Sequence, residues 1–121
     1  LPPEQGPTPF SLEIRKYLFD IERAAASLHE FTAGKTLADY EASRLLQAAV
    51  EREFEIIGEA VSQLAKRDPA LAERIPDFRR LIAFRNLLIH GYADVDHVLV
   101  WGLLQTKLPE LLAAIRALGS T

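Results

Sequence analysis

Apolar residues recur three or four apart along almost the whole chain, from Ile14 to Leu118, and this spacing leaves room for one fold class. Ile14, Leu18, Ile21, Ala25, Leu28 and Phe31 make one helical stripe, and Leu46, Ala49, Phe54, Ile57, Val61 and Leu64 make another. Strand-like alternation never holds for long, and no Asn-Gly or Asp-Gly hairpin pair occurs. The expected fold is all-α with no β-sheet.

Breakers and caps divide the pattern. Leu1 to Pro9 holds four of the seven prolines, so residues 1–10 read as a proline-rich leader or disordered arm and 11–121 as a single helical domain. A first helix is expected from Ser11 to Ala33, with Gly34 just past its end. A second starts near Thr36, where Thr36 and Asp39 stand at capping-box spacing, and runs to about Arg67. Asp68-Pro69 stops it and can open a short helix. Ile75-Pro76-Asp77 is another break. A third helix then runs from about Asp77 to His90, ended by Gly91. Asp94 or Asp96 caps a fourth, which continues to about Leu118 and should kink or split at Pro109. Short connections between such helices give an antiparallel bundle of four to five helices.

Composition narrows the chemistry. A chain of 121 residues can bury a core without staples, and the absence of cysteine rules out disulfides and thiolate metal sites. That absence suits a cytoplasmic protein. No apolar run approaches the length of a membrane span, no signal-peptide pattern opens the chain, and no membrane partner is expected. Methionine is absent even at position 1, which points to processing or trimming. The net charge of −3, with both signs mixed along the chain, argues against a broad basic surface for nucleic acid. Any such chemistry must use a local patch. No H-E-x-x-H or E-x-x-H pattern, glycine-rich phosphate loop or G-x-S-x-G element occurs, so neither metal nor cofactor is expected.

The informative stretch is Arg85-Asn86-Leu87-Leu88-Ile89-His90-Gly91-Tyr92. At about 100° per residue, Asn86 and His90 share a helix face, and Arg79 and Ala83 extend that strip. Arg85 lies ~140° from His90 but is long enough to bend toward it. Phe78, Leu81, Ile82, Leu88 and Ile89 should cover the core side. Cleaving RNA without a metal needs a base for the 2′-hydroxyl, an acid for the leaving 5′-oxygen and a fixed cation for the phosphate. Histidine, with a reference pKa near ~6.5, suits the proton work. Arginine grips two phosphate oxygens with its planar fork. One chain offers one of each here, and a two-fold dimer would offer two. Spacing alone equally fits plainer roles: a histidine complementing the helix dipole and an arginine in an ordinary ion pair.

The stretch Arg85–Tyr92 resembles the R-N-x-x-x-H-x-Y signature of HepT-like toxins of the HEPN superfamily. VEREFEIIGEA, from Val50 to Ala60, resembles that family's second-helix signature, with Arg52, Ile56, Ile57, Gly58, Glu59 and Ala60 in place. The run Val95 to Leu112, with Trp101 and Leu108-Pro109, resembles its last helix, so the likeness covers about Leu12 to Leu118.

The resemblance implies a HEPN helical bundle and a homodimer whose motifs face each other across a cleft. It implies a metal-independent endoribonuclease toxin with Arg85 and His90 catalytic. The implied partners are RNA as substrate and a small nucleotidyltransferase antitoxin that transfers AMP to Tyr92. Asn86, Arg52 and Glu59 are candidate supporting residues; Arg52 or Glu59 would orient Arg85 or His90. The alternative is a non-catalytic HEPN binding subunit of a nucleotidyltransferase complex. A purely structural dimer leaves the polar strip unexplained.

Other residues have simpler readings. Gly58 in mid-helix costs about 1 kcal/mol against alanine, and its expected return is close helix–helix approach. His29 and His97 read as surface residues, and Trp101 as a core or dimer-interface residue. Tyr92 also fits as an aromatic anchor with an exposed hydroxyl.

Overall fold

The computed structural model describes residues 10–119, and the side chain of Tyr92 lies outside that description. Apart from Phe10, the expected proline-rich arm lies outside the described residues too. The elements are α1 (Leu12–Thr32), α2 (Leu37–Ala42), α3 (Arg44–Arg67), α4 (Pro69–Ala72), α5 (Phe78–His90) and α6 (His97–Gly119), with one 3₁₀ turn over Tyr92–Asp94. Among the described residues there is no strand. The fold is an all-α bundle of HEPN type.

Local chemistry sets most boundaries. The Ser11 hydroxyl accepts the Ile14 N–H at 3.1 Å and starts α1. Gly34, at φ 74°, turns the chain out of it in the left-handed conformation that glycine adopts freely. Thr36 and Asp39 form the capping box: Thr36 Oγ1 accepts the Asp39 N–H at 3.1 Å, and Asp39 Oδ2 accepts the Thr36 N–H at 2.8 Å. The Thr36 backbone N–H, aided by the Thr36 side chain, holds the Asp39 carboxyl below its ordinary pKa. Asp68 caps α4 through the Leu71 N–H, with Pro69 at the first turn. Of the two candidates for α6, Asp96 is the cap, accepting from Val98 at 2.9 Å and Leu99 at 3.3 Å.

The structure corrects several expectations. The helix expected from Thr36 to Arg67 is two helices, broken at Ser43. Ser43 is extended (φ −122°, ψ 104°), and its hydroxyl caps α3 through the Leu46 N–H. Gln47 donates its amide to the carbonyls of Tyr40 and Glu41, satisfying the end of α2. The apolar periodicity runs smoothly across this break and hides it. Secondly, Pro109 does not split α6. Leu104, Leu108 and Leu111 are buried on either side of it, and that packing holds the helix together despite the missing N–H. Being unbroken, α6 is long and apolar enough by length and composition to cross a membrane (mean hydropathy 1.4), contrary to the reading of the sequence. In the bundle its buried face, from Val100 to Leu118, belongs to the common core. Thirdly, Ile89 is 42% exposed, not on the core side.

The core is built on α1 and α3. They run antiparallel, as shown by Arg67 at the end of α3 meeting Glu13 at the start of α1 (2.7 Å). α6 packs on α1 and α2, while α5 packs on α3. Ile21, Leu28, Ile57, Val61, Leu64 and Ile115 are almost wholly buried. With α3 as its main support, α5 buries only Leu88 fully, which is why Ile89 stays in solvent. The kink at Ser43 swings Tyr40 under α6, where its ring meets Trp101 (5.5 Å) and, edge-on, His97 (5.7 Å). His97 is therefore half-buried, while His29 lies on the surface as expected.

Candidate functional site

α3 and α5 meet at Gly58. A Cβ built there would overlap the Cβ of Arg85 and stand 2.9 Å from both its Cγ and the Leu81 carbonyl oxygen. The close approach expected of this glycine is therefore made with Arg85 itself. The arginine stem is clamped between the helices, and only its outer end is free to reach polar partners.

Those partners fix the guanidinium. Arg85 Nη2 lies 2.9 Å from Glu59 Oε1, one residue beyond Gly58 on α3. Its Nη1 donates to Asn86 Oδ1 at 2.9 Å. Nε is buried without a hydrogen-bond partner among the described residues. Each terminal nitrogen carries two N–H groups, so each keeps one for a further acceptor. The other carboxylate oxygen of Glu59 accepts from Gln63 Nε2 at 2.9 Å. Arg67 donates to the Gln63 side-chain oxygen and also pairs with Glu13. A polar chain thus runs from α5 across α3 to the start of α1. The hydrogen bond that Arg67 donates to Glu13 raises the Arg67 pKa.

The remaining candidates divide. His90 is exposed at the last position of α5, and among the described residues no hydrogen bond or ion pair joins it to Arg85, Asn86, Glu59 or Arg52. Asn86 is exposed one turn before it, on the same face. Of the two α3 candidates, Glu59 reaches Arg85. Arg52 instead pairs with Glu55 at 3.3 Å, and among the described residues it makes no hydrogen bond or ion pair with Arg85 or His90. Arg79 at the far end of the strip pairs with Glu73 and lies over the Phe78 ring. The backbone of Tyr92 opens the 3₁₀ turn after Gly91, and its side chain lies outside the described residues.

Gln63, Arg67 and Glu13 are not among the site residues read from the sequence. The four-residue steps from Glu59 to Gln63 to Arg67 were a readable signal. Nothing local signals Glu13, which is 54 positions from Arg67. Among the described residues no group of three or more His, Cys, Asp or Glu side chains is placed to hold a metal.

Comparison with known proteins bears on the same residues. The family described as "Ribonuclease HepT-like" matches residues 21–118, which include Gly58, Glu59, Arg85 and His90. The chain is 34% identical over 97 residues to the "Probable ribonuclease HepT" of Thermococcus cleftensis, covering 80% of this chain and 87% of that one. It is 30% identical over 101 residues to the "Putative RNase MJ1380" of Methanocaldococcus jannaschii, covering 82% and 90%. No solved structure matches it. The family match runs from within α1 to near the end of α6, and the chain belongs to the HepT-like ribonuclease family.

Proposed function

We propose that this chain is a metal-independent endoribonuclease that works as a homodimer in the cytoplasm and is the toxin of a toxin–antitoxin pair. One observation carries the reading: Glu59 and Asn86 hold the Arg85 guanidinium in place, while His90, on the same helix, stands exposed and unengaged by them. A fixed cation and an exposed imidazole on one helix supply two of the groups that phosphodiester cleavage requires.

In this reading Arg85 binds two non-bridging phosphate oxygens through the N–H groups that Glu59 and Asn86 leave open. His90 takes the proton of the 2′-hydroxyl. The 2′-oxygen then bonds to phosphorus as the bond to the 5′-oxygen breaks. The second copy's His90 protonates that leaving oxygen. The products are a 2′,3′-cyclic phosphate and a 5′-hydroxyl. The need for two histidines supports the dimer. The exposed Ile89, Val98 and Leu99, which flank the turn after His90, supply apolar surface for it.

Control by a small nucleotidyltransferase rests on the likeness to HepT toxins. AMP on Tyr92, two residues past His90, would set a phosphodiester anion in competition for Arg85 and fill the cleft with a nucleotide. Expression of the wild-type chain should arrest bacterial growth, and co-expression of the nucleotidyltransferase should relieve the arrest. Incubation with that partner, ATP and magnesium should add whole AMP units to wild type and none to Tyr92→Phe. Equal growth with wild type and His90→Ala would overturn the toxin reading.

A further inference from the structure

The groove between α1 and α3 opens beside Arg85, because Glu59 both pairs with Arg85 and lines the groove. Its volume is about 390 Å³, within the ~300–1,000 Å³ usual for a small-ligand pocket. Ile56 and Ala60 of α3 give it an apolar floor, and the partly buried Tyr17 ring of α1 gives it an aromatic wall.

Its charges are already matched. Lys16 pairs with Asp20 at 3.5 Å, Arg52 with Glu55 at 3.3 Å and Arg85 with Glu59 at 2.9 Å. An anion inside the groove would have to draw Lys16 or Arg52 from its carboxylate, whereas Arg85, beside the groove, keeps open N–H groups while paired with Glu59. A cation would meet the same obstacle with the signs reversed. A flat, neutral group with donors and acceptors on its edge meets neither. It can lie on Tyr17 and exchange hydrogen bonds with the carboxylates and the Gln63 amide at the rim. The Tyr17 ring faces cations, with Lys16 Nζ 5.7 Å and Arg67 Cζ 5.3 Å from its centroid. Aromatic and guanidinium planes together are the usual platform for an unpaired base.

We propose that this groove is a nucleobase pocket that stacks one unpaired base of the RNA on Tyr17 while the adjoining phosphate sits on Arg85. The proposal rests on the ribonuclease reading and adds that the substrate is single-stranded at that nucleotide. Stacking contributes to binding of the strand rather than to the bond-breaking step, so Tyr17 is a substrate-binding residue.

The test uses full-length protein carrying His90→Ala, so that RNA is bound and not cut. The probe is a short single-stranded RNA containing 2-aminopurine, whose fluorescence is quenched on stacking. Binding should quench it, Tyr17→Phe should retain the quench, and Tyr17→Leu should lose it with about 10-fold weaker affinity, the usual worth of one stacked base. The same sequence as a duplex should give no quench. Because Tyr17→Leu disturbs packing, a 4-thiouridine RNA cross-linked to the Tyr17-containing protein provides the second measurement. Cross-links should map to α1 between residues 16 and 20. RNA binding with equal quench in Tyr17→Leu and Tyr17→Phe, or cross-links only outside α1 and α3, overturns the pocket while leaving the ribonuclease reading standing. RNA neither bound by this protein nor cleaved by wild type overturns both.

Discussion

The Cβ and Cγ of Arg85 rest on the bare backbone of Gly58, so the glycine sets how near α3 lies to the arginine that Glu59 then holds. Gly58→Ala should gain about 1 kcal/mol in helix propensity. The added methyl would strike the Arg85 Cβ and the Leu81 carbonyl, neither of which is the flexible end of a side chain. Helices α3 and α5 would have to separate, at an overpacking cost of about 1–3 kcal/mol. The net expectation is a less stable protein, by up to about 2 kcal/mol, with reduced ribonuclease activity. Urea denaturation and an RNA-cleavage assay check both; a stabilised Gly58→Ala of full activity would contradict the clamp.

Glu59→Gln separates orientation from stability. The Arg85–Glu59 pair is half-exposed, so its loss should change stability by less than about 1 kcal/mol. A guanidinium free to shift by an ångström should nevertheless lose up to about 100-fold in cleavage rate. Matched thermal melts and single-turnover rates would show this split. Unchanged rates would mean that Arg85 needs no orientation by Glu59.

Tyr40 is fully buried, and its hydroxyl has no hydrogen-bond partner among the described residues. Burial pushes the phenol pKa well above its ordinary value. Tyr40→Phe removes an unsatisfied polar atom and keeps the ring against Trp101, so it should match or exceed wild type in stability. A loss above about 1 kcal/mol would show that the hydroxyl has a partner.

Glu51 lies near this cluster, and burial raises its pKa, opposed in part by His97. A carboxyl whose folded pKa lies above its unfolded value favours folding when protonated. That stability is fully present below the unfolded pKa of about 4.3 and is lost as pH rises through the folded value. Glu51→Gln should therefore melt higher than wild type at pH 7, and the difference should shrink as pH falls below about 4. A Glu51→Gln protein that melts lower at pH 7 would reverse the sign.

Much of the fold was legible because caps and apolar spacing are local. Ser11, Gly34, Thr36 with Asp39, Asp68 with Pro69, and Asp96 all act where their types suggest. Ser43 was not legible, since one serine in an unbroken apolar pattern carries little signal. Its effect depends on Gln47 and on the place for Tyr40 beneath α6. The meeting of Gly58 with Arg85 followed from the need for small residues at close crossings, although its partner could not be read. The choice between Arg52 and Glu59 as partner for Arg85 was decided only by the way α3 faces α5. Glu13 and Tyr17 became visible only once α1 lay against α3.

The most direct test of the account is cleavage of a single-stranded RNA by purified wild-type, Arg85→Ala and His90→Ala proteins in the presence of EDTA. Wild type should cut, leaving 2′,3′-cyclic phosphate ends. Each variant should fold with wild-type circular dichroism and lose on the order of 10²–10³ in rate, as expected for a lost transition-state contact. A His90→Ala protein that cuts as fast as wild type, or wild-type cleavage abolished by EDTA and restored by added metal, would contradict it.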